Sequence, residues 1–245
     1  MQGSRSVRET MVLTFQVKTR FLALLALSCS SLLEAAEAPD AREILKSVRV
    51  AQAAQAQSLK GRLRSGGKAI PFQLSVSGDT IRWDFTDPPP QSLLLRLGEK
   101  DSRLEEIGKG GSTKVSAARF DDKVRDSDIS YEDLAMRFLY WSNATVEGEQ
   151  TMLLTKCWII RALPPNRADS QYNAVKLWIA KNTGALMQAE AFGADGKLVR
   201  RFKVISGQSL GEGVWILKEM RIEEMTPGKS ADRTPSYLSI EKPAR

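Results

Sequence analysis

From residue 58 onward the apolar positions recur mainly with period two, as strands with one buried face require. Phe72, Leu74 and Val76 alternate with Gln73 and Ser75, Gly78-Asp79 offers a tight turn, and Ile81, Trp83 and Phe85 alternate with Arg82 and Asp84. This pattern predicts a hairpin. Pro88, Pro89 and Pro90 stop its second strand, because proline has no N–H to give the ladder. Leu93, Leu95 and Leu97 then continue the same face. A weaker hairpin is predicted over 102–107 and 112–118, around Gly110-Gly111. Met152–Leu163 reads as one long strand, apolar on both faces and ended by Pro164-Pro165, so something should cover each side. Further strands are expected at Val175–Ile179, Leu186–Phe192, Leu198–Ile205, Trp215–Glu223 and Tyr237–Glu241, the last after a polar loop at 226–235. Short turns between successive strands predict an antiparallel meander. About ten or eleven strands are too many for a flat sheet, so it should curl.

Two segments carry helical spacing instead. Over residues 40–57, Ala41, Ile44, Leu45, Val48 and Ala51 fall on one face and Asp40 is the N-cap candidate. The other segment is 125–141, RDSDISYEDLAMRFLYW. Its acidic opening, with Asp126 and Asp128, leads to Ser130 as N-cap. Asp133 stands three residues on, in the capping-box position, and Glu132 and Asp133 place negative charge in the first turn. Leu134, Phe138 and Trp141 then predict one amphipathic helix over 130–141. The fold class expected is α+β and mainly antiparallel β: a strongly curved sheet forming a half-open barrel, covered by short helices.

The first 38 residues alter the picture of where the protein works. Arg5, Arg8, Lys18 and Arg20 precede a short apolar core, Phe21–Leu27, and an Ala36-Glu37-Ala38 pattern, which together read as a secretory signal too short to span a membrane. Met11 is an alternative start, and cleavage after Ala36 an alternative to cleavage after Ala38. The mature chain is then a single domain, residues 39–245, exported to the periplasm. Ala26-Leu27-Ser28-Cys29 leaves open a lipid anchor through Cys29. The chain carries a net charge of +7, and the segment removed holds four basic and three acidic side chains, so +6 remains. Those charges are interspersed, not blocked. They allow a soft attraction to anionic lipid head groups and do not point to nucleic acid. Cys157 is the one cysteine left after the signal, so no internal disulfide is expected; it reads as a small buried hydrophobe.

Catalytic chemistry is thin. The chain has no histidine, which removes the usual general base, the Ser-His triad and the commonest metal ligand. It has no thiolate cluster and no glycine-rich phosphate loop. Asp126, Asp128 and Ser130 have the one-three-five spacing of a calcium loop, but Tyr131 stands where glycine is needed and Arg137 where glutamate is. Paired carboxylates among Asp121, Asp122, Asp126, Asp128, Glu132 and Asp133 could serve a hydrolase, yet nothing sets two of them across a cleft. Solvated charges and helix caps are the simpler reading. No enzyme, metal or cofactor is expected.

DSDISYEDL, with Asp126, Asp128, Tyr131, Glu132, Asp133 and Leu134, resembles the signature segment of a family of bacterial outer-membrane lipoprotein-sorting-like proteins, related in fold to the carrier LolA. KLWIAKNTGALMQAEAFGADGKLVRRFKV resembles that family's two consecutive hairpins. The likeness covers roughly residues 40–243. It implies a LolA/LolB-like fold that shields lipid or lipoprotein acyl chains, with an arginine in the barrel that gates a lid. Arg62, Arg64 and Arg82 on early strands are candidates for that arginine. On this reading Phe72, Leu74, Trp83, Phe85, Leu93, Leu95, Trp158 and Leu177 line the ligand cavity, and burying acyl chains there is worth about 0.8 kcal/mol per methylene. The partners expected are acyl chains, with an envelope protein or the membrane surface as others. The alternative is a non-catalytic envelope protein-binding or sensing module, in which the same side chains are an ordinary packed core.

Overall fold

Residues 39–53, 57–211, 214–225 and 234–242 are described in the computed structural model. The signal segment with Cys29, and most of the polar loop at 226–235, lie outside the described residues. Helix α1 spans Ala41–Ala53. Asp40 caps it, its Oδ1 accepting from the backbone N–H of Arg42 at 2.9 Å. The helix stops short of the expected residue 57, because Gln57 already belongs to a strand.

Thirteen strands form one sheet: β1 Gln57–Ser65, β2 Lys68–Ser77, β3 Thr80–Phe85, β4 Gln91–Leu97, β5 Ser102–Gly108, β6 Gly111–Lys114, β7 Asn143–Met152, β8 Thr155–Leu163, β9 Ala174–Ala180, β10 Leu186–Phe192, β11 Leu198–Gly211, β12 Val214–Glu224 and β13 Ser236–Ile240. Their spatial order is β6-β5-β4-β3-β2-β1-β13-β12-β11-β10-β9-β8-β7. All pairings are antiparallel, and the sheet is curved and open. Two meanders, β1–β6 and β7–β12, are thus joined by the last strand, which pairs Gly61 with Ile240 on one side and Met220 with Leu238 on the other. The meander expected from the turns is correct locally; the central place of β13 is a long-range pairing that no turn encodes.

Register sets the faces. Leu59, Leu74, Trp83 and Leu93 stand in one cross-strand row. Across the second meander, Val146, Ile160, Leu177, Ala189, Phe202 and Ile222 stand in another. Both rows lie on the inner face. The outer face carries charge, as in the row Arg161, Lys176, Glu190, Arg201 and Glu223, laced by half-buried ion pairs of Arg201 with Glu190 and Glu223. Gly61 is required on the inner face. A Cβ there would stand 2.4 Å from Cζ of Phe72 and 2.8 Å from the carbonyl oxygen of Ser239.

Two expectations are corrected. Met152–Leu163 is not one strand: the chain turns back at Leu153-Leu154, and β7 precedes the turn. Strand β7 has little apolar alternation to announce it, since it lies at the edge of the sheet and none of its side chains is fully buried. The helix over 130–141 is also interrupted. Helix α2 covers only Tyr131–Ala135, Met136 takes a left-handed backbone (φ 45°, ψ 42°), and a 3₁₀ turn runs over Arg137–Tyr140. The reason is packing. Phe138, Leu139, Tyr140 and Trp141 are all buried, and one face of a continuous helix cannot bury four consecutive residues.

Candidate functional site

The sheet has two edges, β6 and β7, which are neighbours in sequence. Residues 115–142 connect them by crossing the inner face, so this connection and α1 together cover the apolar trough. Phe138 sets its ring 6.2 Å from that of Phe202 on β11 and 6.4 Å from that of Trp141. Leu45 and Val48 of α1 are buried in the same core. The two covers touch where Arg49 donates to the carbonyl oxygen of Leu139 at 2.6 Å and lies over the Tyr140 ring.

The connection is fastened by polar groups. The capping box forms as expected: Oγ of Ser130 accepts from the N–H of Asp133 at 3.1 Å, and Oδ2 of Asp133 accepts from the N–H of Ser130 at 3.0 Å. Asp133 is also a partner of the sheet. Its Oδ1 accepts from the Tyr172 hydroxyl, and its Oδ2 lies 3.5 Å from Nε of Arg200. Arg200 is 5 % exposed on the inner face of β11 and donates through Nη1 to the carbonyl of Asp128. Burial would lower the Arg200 pKa, but Asp133, Tyr172 and Glu224 together outweigh it, so the pKa is raised and the guanidinium stays charged. Burial, with Asp133 beside it, pushes the Tyr172 hydroxyl well above its usual range, so it remains a donor.

Asp128, Tyr131 and Glu132 are fasteners too. Oδ2 of Asp128 lies 3.0 Å from the hydroxyls of both Ser65 and Ser236, on adjacent strands β1 and β13. Tyr131 donates to Oε1 of Glu106 at 2.7 Å and accepts from Gln91 at 2.9 Å. Burial, together with Glu106, pushes the Tyr131 hydroxyl up to about 12. Glu132 is fully buried and accepts from Ser170 Oγ at 2.6 Å and from the N–H of Gln171 at 3.0 Å. Its pKa is raised, burial outweighing these two bonds. Leu134 packs partly buried against the core, and Asp126 closes a 3₁₀ turn at Val124–Asp126. Asp128 and Ser130 commit their side chains to serines and the helix cap, so the calcium-like spacing is used for fastening. Among the described residues no three acidic or cysteine side chains are grouped to hold a metal ion.

The eight residues expected to line a cavity share the inner face in two groups. Phe72, Leu74, Trp83, Phe85, Leu93 and Leu95 are neighbours on β2–β4, with Phe72 and Phe85 ring to ring at 5.8 Å. Trp158 and Leu177 lie across the sheet on β8 and β9, Trp158 under the Lys181 ammonium at 3.4 Å. Leu74 and Trp158 are half-buried and the other six are buried by the protein's own side chains. The larger of the described clefts, ≈790 Å³, opens at the end of the trough instead, between Ile70, Pro88–Pro90, Gln91 and Arg125. There Arg125, itself left-handed (φ 53°), donates to the carbonyls of Asp87 and Pro89 and ties the connection to the β3–β4 loop.

The candidate arginines Arg62, Arg64 and Arg82 are exposed, paired with Glu241, Glu219 and Asp84 respectively. The arginine inside is Arg200, which sequence reasoning missed along with Tyr172, Ser65 and Ser236. A signal for it existed. In LVRRFKV the alternation puts Arg200 on the same face as Phe202 and Val204, and a charge on an apolar face must find a partner.

A family model described only as that of an uncharacterized protein matches residues 111–242, more than half of the chain, and the match takes in the whole fastened connection and the second meander. The chain belongs to that family. No curated protein matches the sequence. Among solved structures, an outer-membrane lipoprotein-sorting protein domain from Vibrio parahaemolyticus is 12 % identical, with a TM-score of 0.63 over 82 % of this chain and 90 % of that one. A LolA superfamily protein from Nitrosomonas europaea is 14 % identical, with a TM-score of 0.60 over 84 % and 93 %. A DUF1329 family protein from Desulfovibrio piger is 17 % identical, with a TM-score of 0.57 over 82 % and 91 %. At these identities the likeness is one of fold: this chain has the LolA-like half-open sheet expected from DSDISYEDL and the paired hairpins.

Proposed function

We propose that the protein is a non-catalytic carrier of lipid or lipoprotein acyl chains in the bacterial periplasm, and that residues 39–245 form its single working domain. The observation that carries this reading is the division of labour over the trough. Its floor is apolar, whereas the segment crossing it is fastened by polar contacts at Arg200, Asp128 and Asp133. An apolar floor under a polar fastening can open without tearing the sheet, and side chains such as Phe138 then give way to an acyl chain. The cleft beside Arg125 and Pro88–Pro90 is the mouth in this scheme. The filled trough supports a second reading, in which the domain is a packed envelope protein-binding module with no lipid ligand.

Native mass spectrometry of protein purified from a bacterial periplasm, with organic extraction, tests the proposal. We expect co-purifying phospholipid or acyl species, or uptake of a fluorescent fatty acid. Arg125→Ala, which unties the mouth, should speed that uptake several-fold, and Leu93→Trp, which fills the floor, should lower the amount bound. A clean ligand-free mass with no uptake by the wild type or Arg125→Ala sinks the carrier and leaves the packed module.

A further inference from the structure

The turn between β7 and β8 has the wrong residues for its shape. Met152 pairs with Thr155, so only Leu153 and Leu154 connect the strands. Both are left-handed, at φ 46° and 67°. That is the two-residue hairpin geometry for which Asn-Gly is the usual choice, because a Cβ is strained there. Both leucines also point into solvent, 67 % and 98 % exposed. A position that is strained for leucine and gives it nothing to pack against carries the pair for another reason.

The surroundings say what that reason is. Because the strands alternate in direction, the β7–β8, β9–β10 and β11–β12 turns lie at one end of the sheet. Trp215, 64 % exposed, opens β12 at that end. Lys156 follows the tip by two residues and is exposed. Lys181 stands beside it, its backbone N–H bonded to the carbonyl of Lys156 at 2.8 Å, but its ammonium is paired with Glu149 and lies over the Trp158 ring, so Lys156 is the cation the tip offers. Two apolar side chains on a narrow tip bury far too little area for a protein interface, which needs on the order of 1,000 Å². They suit a bilayer, where a few apolar groups, a nearby cation and an indole at head-group level suffice. The net charge of +6 that remains after the expected signal segment favours anionic lipid. We propose that Leu153 and Leu154 form a membrane-contact tip that inserts into an anionic phospholipid bilayer. The proposal does not rest on the carrier reading, since a packed module would dock in the same way.

Co-sedimentation of the purified mature chain, residues 39–245, with phosphatidylethanolamine–phosphatidylglycerol vesicles tests it, with phosphatidylcholine vesicles alongside. The double change Leu153→Asn, Leu154→Gly keeps the turn and relieves its strain, so the variant folds with an unchanged or higher Tm. Its partitioning onto the anionic vesicles should fall at least tenfold. Lys156→Gln should lower binding about fivefold on the anionic vesicles and leave phosphatidylcholine binding unchanged. Without the apolar run Phe21–Leu27, which would bind vesicles by itself, the ratio between variants reports the tip. Equal partitioning of wild type and the Asn-Gly variant overturns the proposal. So does a dimer, seen by light scattering, that the Asn-Gly change abolishes, because the tip would then serve a second copy.

Discussion

The two covers of the trough are held down in opposite ways. Helix α1 is seated by an apolar stripe, Ala41, Leu45 and Val48, with exposed ion pairs on its far side. The connection over 115–142 buries apolar groups as well, but its position is set by buried polar ones: Ser130, Glu132 and Asp133 are all within 2 % of full burial. Apolar contact tolerates sliding, because it is non-directional. A carboxylate placed between a tyrosine hydroxyl and a guanidinium tolerates little, because each lost partner strands a buried group. The second cover is therefore the one whose position is fixed by specific partners.

Removing the fastening should expose that difference most strongly. Arg200→Ala leaves Asp133 and the carbonyl of Asp128 without their cation, and stability should fall by about 3–5 kcal/mol. Leu45→Ala in the other cover opens a cavity and should cost about 3 kcal/mol. Urea denaturation gives both losses, and hydrogen exchange separates them. Arg200→Ala should speed exchange across 115–142 and spare α1, and Leu45→Ala should do the reverse. Uniform acceleration by either change would show that the two covers move as one body.

Acid titration sharpens the contrast, because α1 has no buried carboxyl and α2 has Glu132. Its pKa is raised by burial above the ordinary carboxylate value of 4.5. A carboxyl that is harder to ionise when folded stabilises the fold below its unfolded pKa. That contribution is lost as pH rises through the folded pKa. Stability should therefore decline on going upward from about pH 4.5 by the amount Glu132 supplies. Glu132→Gln should flatten this decline while lowering stability by about 2 kcal/mol at acid pH, since its amide cannot accept from both Ser170 and Gln171. Unfolding curves at pH 4 and 7 decide it: an unchanged slope in Glu132→Gln would mean that Glu132 is not the group responsible.

The same contrast explains what could be read in the chain. The α1 stripe, the β2–β3 hairpin and the Ser130–Asp133 cap are local patterns, and each stands where the spacing put it. The inner-face positions of Trp83, Phe85 and Leu93 follow from alternation alone. The break at Met136 does not, because helical spacing at Leu134, Phe138 and Trp141 carries no sign that Leu139 and Tyr140 are buried too. Arg200 meets Asp133 across 67 residues and Ser236 meets Asp128 across 108. Ser236 is placed by β13 entering the middle of the sheet, and Arg200 by β11 lying under the connection. The Leu153-Leu154 turn misled for the opposite reason: two leucines look like strand interior, and the chain uses them as a tip.

The smallest difference concerns the caps, where a side-chain oxygen begins the helix in each cover. Asp40 caps α1 at the surface, with a side chain 57 % exposed. Ser130 caps α2 with no exposure, and its Oγ also accepts from the Gln171 side chain at 2.7 Å. Water can replace Asp40 as the acceptor for the first turn's N–H, so Asp40→Ala should cost about 0.5 kcal/mol, the low end for a cap. Nothing replaces Ser130: Ser130→Ala strands the N–H of Asp133 and the Gln171 amide together, and the loss should reach about 2 kcal/mol. A third variant, Ser130→Thr, keeps the oxygen and adds a methyl group to a fully buried site. If it regains most of the loss in urea denaturation, the oxygen is what holds the second cover. If it does no better than alanine, space at the cap counts for more than the bond, and the polar fastening begins only at Asp133.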